Sequence, residues 1–154
     1  MTPADQQIAF IGAGNVATHM AKALRNAGMK IKAVYSHTLA SAQTLAAEVE
    51  ADAIDDIADL PEANIFVYCV KDDVLPEIAA INSLRFPNAL HIHTSGSTPA
   101  NVFLNQWHGV IYPMQTFSKN AALNFSEVRC YIEGSNRQSL KMIDNLARSL
   151  TSHV

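Results

Sequence analysis

Only two of the 154 residues are cysteine, Cys69 and Cys130, and neither stands in a C-x-x-C pair or at zinc-ligand distance from a histidine. A disulfide scaffold and a zinc site are excluded, and two thiols set in apolar runs read as buried and free, as in a reducing cytoplasm. Basic residues are scarce too: 11 Lys and Arg against 14 Asp and Glu leave a net charge of −3. A nucleic-acid or membrane-surface partner needs a basic face, so neither is expected. No apolar run approaches the roughly 18 residues of a membrane span. The polar opening MTPADQQ lacks the charged-then-apolar layout of a signal peptide and reads as a disordered lead over residues 1–7. The most informative absence is local. Between Gly14 and Glu48 there is no Asp or Glu.

What is there suffices for one domain over residues 8–154. Apolar residues make up 49% of the chain, and a chain of this length buries roughly 70% of the surface its unfolded form exposes. Strand-like and helix-like patterns alternate throughout. Ile8–Ile11 is a short apolar run. Val16, Met20, Ala23, Leu24 and Ala27 then recur at helical spacing, with Gly28 closing the helix. Strands are expected at Ile31–Tyr35, Asp52–Ile54, Ile65–Val70, Leu90–His93, Val110–Tyr112 and Val128–Ile132, and a further one starting at Ser152–Val154. Helices are expected at Leu39–Val49, through Val74, Ile78 and Ile81 with Asp72 or Asp73 as cap, briefly after Thr98-Pro99, and at Arg137–Leu150. Such alternation predicts an α/β fold, a doubly wound and mostly parallel sheet with helices on both faces.

Gly12-Ala13-Gly14-Asn15-Val16-Ala17 fits G-x-G-x-x-A, directly after a strand and opening an amphipathic helix. The first glycine permits the tight turn, the second lets backbone approach a pyrophosphate, and the small Ala17 lets helix and strand pack closely. That context marks an NAD(P)-binding Rossmann fold, with phosphates at the helix N-terminus. NAD sites place an acid at the end of the second strand to bond the ribose 2′-OH. Here that strand ends in Ser36-His37-Thr38. A carboxylate repels a 2′-phosphate, whereas hydroxyls, backbone N–H groups and an imidazole donate to one. NADP is therefore expected ahead of NAD.

Three segments together carry a resemblance: IGAGNVATHMAKAL with VYSHT (Ile11–Leu24, Val34–Thr38), HTSGS (His93–Ser97) and HGVIYPMQTFS (His108–Ser118). The chain resembles the N-terminal domain of the 6-phosphogluconate-dehydrogenase-like superfamily. More narrowly, it resembles the bacterial Rossmann-like proteins that carry a C-terminal helical domain of unknown function (DUF2520). The resemblance implies an oxidoreductase, with the deazaflavin F420 as a further hydride carrier. It also implies a helical domain that is absent from this chain, and a homodimer for the full-length protein. His108–Ser118 resembles the His-Pro-Met segment of prephenate dehydrogenase-like folds, with Tyr112 in place of the histidine.

In doubly wound sheets the ligand lies across the carboxyl ends of the strands. Val70-Lys71-Asp72 and Thr94-Ser95-Gly96 are therefore expected to line the cofactor, and the stretch Tyr112–Ser118 to face a small polar substrate. No residue stands out as catalytic; Lys71, Ser95, Gln115 and Thr116 are the candidates. His93 and His108 lie close enough to the strand ends for acid–base work, yet each reads first as a structural histidine. No metal cluster and no nucleophile elbow appears. The expected activity is hydride transfer between NADP and a small substrate. The alternative is a non-catalytic NADP-binding sensor or scaffold, supported by the lack of a compelling acid or base.

Overall fold

Alternating apolar segments meet in one seven-stranded sheet, ordered β3-β2-β1-β4-β5-β6-β7. The structure, a computed structural model, describes residues 5–115, 117 and 124–154. The strands are β1 (Gln7–Ile11), β2 (Lys30–Tyr35), β3 (Asp52–Ile54), β4 (Ile65–Tyr68), β5 (Leu90–His93), β6 (His108–Pro113) and β7 (Cys130–Gly134). The first six run parallel, and β7 pairs antiparallel to β6. The helices are α1 (Asn15–Asn26), α2 (Leu39–Val49), α3 (Leu75–Arg85) and α4 (Arg137–Leu150). Among the described residues, no helix is long and apolar enough to cross a membrane.

Covering both faces is what demands the central strands' uninterrupted apolar sequence. Every residue of β4, IFVY, is buried. Ile8, Phe10, Ile65, Val67 and Ile111 point to the face packed by α1, α2 and α4. Ala9, Ile11, Phe66 and Tyr68 point to the other, under Leu75 and Ala79 of α3 and Phe103. Helix α1 presents Ala17, Met20, Ala21 and Leu24 to the sheet. Its end is fixed by glycine: Gly28 takes φ +94°, its N–H bonds the Arg25 carbonyl, and the Met29 N–H bonds the Leu24 carbonyl. That pair of bonds satisfies carbonyls the helix leaves free.

Several boundaries differ from the sequence expectation. β1 begins at Gln7, inside the polar lead, because its N–H bonds the Asn64 side chain and its backbone pairs with Lys30. β4 stops at Tyr68 rather than Val70, where the chain bends away beside Gly12. Neither Asp72 nor Asp73 caps α3, which starts at Leu75 with Pro76 in its first turn and no side-chain cap. The Asp72 carboxylate instead accepts from Ser97 Oγ at 2.9 Å. Pro99 precedes a three-residue 3₁₀ turn, Ala100–Val102, and opens no α-helix. β7 starts at Cys130 because Asn124 caps a 3₁₀ turn at Phe125–Glu127. Residues 152–154 form no strand, although the His153 carbonyl accepts the Cys130 N–H.

Candidate functional site

The strand order reverses between β1 and β4, which leaves a crevice at their carboxyl ends. Gly12 stands at its base with φ +115°, its N–H bonded to the Tyr35 carbonyl at 2.8 Å. A Cβ there would fall on the Cys69 carbonyl. Two independent constraints, a positive φ and backbone contact, therefore require glycine. Gly14 is different. It caps α1 through its carbonyl, which receives Thr18 N–H and Oγ1, and a Cβ there meets nothing within 4 Å. Glycine at 14 keeps space open above a helix N-terminus that has no side-chain cap and no acid in its first turn.

From that base a groove of about 630 Å³ runs toward β2 and α3, within the range of small-molecule sites. Ser36, His37, Thr38 and Ser41 form one wall, and Val70, Lys71, Val74 and Ile78 the other, joined by Tyr35, Cys69 and Asp73. Ser36 is buried, and its Oγ accepts the Thr38 N–H at 3.2 Å. Thr38 is the cap residue of α2, whose first turn also lacks any acid and any side-chain cap bond. Two uncapped helix N-termini, α1 and α2, thus begin at the same groove. Each offers free N–H donors and the positive end of a helix dipole.

Residues 7–90, more than half the chain, match the model of the family described as NADP oxidoreductase, coenzyme F420-dependent. The chain belongs to this family. It is similar to a candidate NADP oxidoreductase from Bacteroides fragilis, at 38% identity and a TM-score of 0.93, over 99% of this chain and 61% of that one. Two more distant structures share the fold. Prephenate dehydrogenase from A. aeolicus has 14% identity and a TM-score of 0.81, over 97% of this chain and 59% of that one. An imine reductase from Bacillus cereus has 19% identity and a TM-score of 0.76, over 96% and 53%. The chain thus spans about three fifths of the Bacteroides protein's length. No curated protein matches it.

The NAD(P)-binding character of this oxidoreductase family gives the groove its context. Of the residues singled out from sequence, Gly12, Ala13, Gly14, Ser36, His37, Thr38, Val70 and Lys71 line it together. Ala17 is fully buried and serves helix–strand packing, and Val16 packs half-buried on the same core. Asn15 turns its side chain to the Phe117 carbonyl. Thr94, Ser95, Gly96 and Asp72 lie outside this groove. Thr94 Oγ1 donates to the Tyr68 carbonyl at 3.3 Å, at the end of β4. Ser95 Oγ is engaged within its own turn, accepting from the N–H groups of Ser97 and Thr98. Gly96 lies under the Tyr112 ring, three of whose atoms would stand 2.7–2.9 Å from a Cβ. Gln115 is exposed just past β6, and Thr116 lies outside the described residues.

Tyr35, Ser41, Cys69, Asp73, Val74 and Ile78 also line the groove but were not legible as site residues. Val74 and Ile78 carry helical spacing, which reads as core; yet Val74 is 47% exposed at the groove wall. The signal for Ser41 was its place one turn after the Thr38 cap.

The buried histidines of this family member are structural. Tyr68 donates its hydroxyl to His91 Nδ1 at 2.7 Å, and His91 Nε2 donates to the Phe86 carbonyl at 2.8 Å. Burial pushes the His91 pKa down to about 4, so the ring is neutral. His93 Nε2 donates to the Pro99 carbonyl at 3.2 Å while Nδ1 accepts the Ser95 N–H; burial lowers its pKa as well. His108 Nδ1 is bonded to the Asn105 carbonyl at 2.7 Å. Burial also pushes the thiols up, Cys69 to about 12 and Cys130 to about 11, so both are protonated at neutral pH.

Proposed function

We propose that this chain is the NADP-binding domain of an oxidoreductase that exchanges hydride with a small polar substrate. One observation carries the choice of NADP: α2 begins at the groove with Ser36, Thr38 and Ser41 around its N-terminus and no carboxylate in its first turn. A 2′-phosphate suits hydroxyl donors and a positive helix end, whereas a 2′-OH gains most from an acid, which the start of α2 lacks. The His37 imidazole adds a further donor on the same wall.

The pyrophosphate fits the α1 N-terminus, where Gly14 leaves the approach clear. Val70, Val74 and Ile78 offer the adenine an apolar wall. The nicotinamide then extends past Val70 and Lys71 toward Thr94–Gly96 and the end of β6. A bound nicotinamide supplies or accepts the hydride, and the protein's share is orientation and exclusion of water. In this reading Thr94 and Ser95 serve as the polar partners of its carboxamide. The Lys71 ammonium, without an ion-pair partner among the described residues, is available to a phosphate or a substrate carboxylate. Gln115 and Thr116 are the substrate-side candidates.

Within the family we favour the DUF2520 group of the 6-phosphogluconate-dehydrogenase-like superfamily, on the strength of HTSGS and HGVIYPMQTFS. The substrate contacts, homodimerisation and cytoplasmic location that this placement suggests concern the full-length protein. Calorimetric titration with NADPH, NADH and F420 in parallel tests the reading. NADPH is expected to bind tightest, by about tenfold or more over NADH, as charge-assisted bonds to one phosphate supply roughly 1.5–3 kcal/mol. Tighter binding of F420 than of NADPH would overturn it.

A further inference from the structure

Asn15 fills a position that the glycine motif leaves open to any residue, yet its side chain is committed to a distant partner. Nδ2 donates to the Phe117 carbonyl at 3.1 Å, across 102 residues of sequence. Phe117 is buried, its ring 5.5 Å from that of His19, one turn further along α1, and 5.7 Å from that of Phe125. The chain leaving β6 is therefore held against the first two turns of α1 by a hydrogen bond and a ring contact. On its other side the Met114 N–H bonds the Arg129 carbonyl at 2.8 Å. Gln115 lies between these two anchors with its side chain exposed.

We propose that Asn15 is a positioning residue that couples the phosphate-binding turn of α1 to the placement of the segment carrying Gln115. The inference rests on the reading that α1 receives the pyrophosphate. Phosphate oxygens bonded to first-turn N–H groups fix the backbone of Asn15, and with it the direction of its amide. A fixed amide holds the Phe117 carbonyl, and the segment after β6 settles at one distance from the bound dinucleotide. Linkage makes the effect reciprocal: whatever factor the cofactor adds to the tie, the tie adds to cofactor affinity. Phe117 does not line the groove, so it reaches the cofactor only through α1.

The test is amide hydrogen exchange of the whole chain with and without NADPH, combined with NADPH titration, on the parent, Asn15→Ala, Phe117→Leu and the double variant. NADPH is expected to slow exchange in peptides covering residues 113–117 of the parent. Asn15→Ala should abolish that slowing while peptides of β1 and α1 still respond. Each single variant should weaken NADPH binding by about fivefold, the size of one modest hydrogen bond, and the double variant should be no worse than the weaker single. Undiminished slowing in Asn15→Ala, or losses that multiply in the double variant, overturns the coupling. Failure of the parent to bind NADPH refutes the functional reading instead. The tie is then judged in the ligand-free chain, where Asn15→Ala must accelerate exchange at residues 113–117, and unaltered exchange overturns it.

Discussion

Two glycines separated by a single residue, Gly12 and Gly14, are under opposite constraints. Gly12 is fixed by its own fold: φ is +115° and a Cβ has no room beside Cys69. Gly12→Ala is expected to cost about 2 kcal/mol or more in urea unfolding, since the backbone strain alone is roughly 1–2 kcal/mol. Gly14 has open space instead, so Gly14→Ala should cost less than about 1 kcal/mol, the ordinary difference between cap residues. If NADPH binding nevertheless falls tenfold in Gly14→Ala, the space above Gly14 belongs to the ligand. His91 supplies a prediction in pH. Its folded pKa, lowered to about 4, lies below the unfolded value of about 6.5. The unfolded chain therefore binds more protons in that window. Stability is fully present above about pH 6.5 and is lost as pH falls toward 4. Between pH 7 and pH 5 the loss from His91 is about 2 kcal/mol, and buried His93 acts in the same direction. A flat denaturation profile over this range would contradict the neutral, buried assignment.

At the scale of elements, α2 ends on a residue that its geometry does not favour. Glu50 takes φ +56° and its exposed carboxylate pairs with Arg25 at 2.9 Å. An exposed pair contributes little, whereas a left-handed cap position favours glycine. Glu50→Gly should raise stability by about 0.5–1 kcal/mol, read as a higher urea midpoint with an unchanged slope. The elements themselves were largely legible in the sequence. α2, β3, β5 and α4 lie where periodicity and burial patterns place them, because each segment's apolar spacing agrees with the face it buries. What escaped were features set by partners far away in sequence. Asp72 has the right chemistry for a helix cap, but its carboxylate bonds Ser97 across two loops. Pro99 fits the first turn of a helix, yet only a 3₁₀ turn follows before Phe103 enters the core. The antiparallel direction of β7 depends on the connection from β6, which no local pattern encodes.

For the whole molecule, the glycine motif and the acid-free strand end were visible as separate features. Their meeting in one groove is a property of the sheet order. Val74, Ile78 and Ser41 belong to the site because α3 and α2 flank the same crevice, which no local pattern encodes. Binding to this groove must stabilise the fold as a unit, since its lining comes from the loop after β1, from β2, from α2 and from α3. A saturating ligand at a hundred times its Kd adds about 2.7 kcal/mol, so NADPH should raise the melting temperature by several degrees.

The most direct test of the central claim isolates the half of the cofactor that this groove is held to select. Adenosine 2′,5′-bisphosphate and adenosine 5′-monophosphate should be titrated into the chain and into Ser36→Asp. The bisphosphate is expected to bind about tenfold tighter or more, and Ser36→Asp to remove the difference while still binding the monophosphate. Equal affinity of the two nucleotides for the unaltered chain would contradict a 2′-phosphate site at the start of α2.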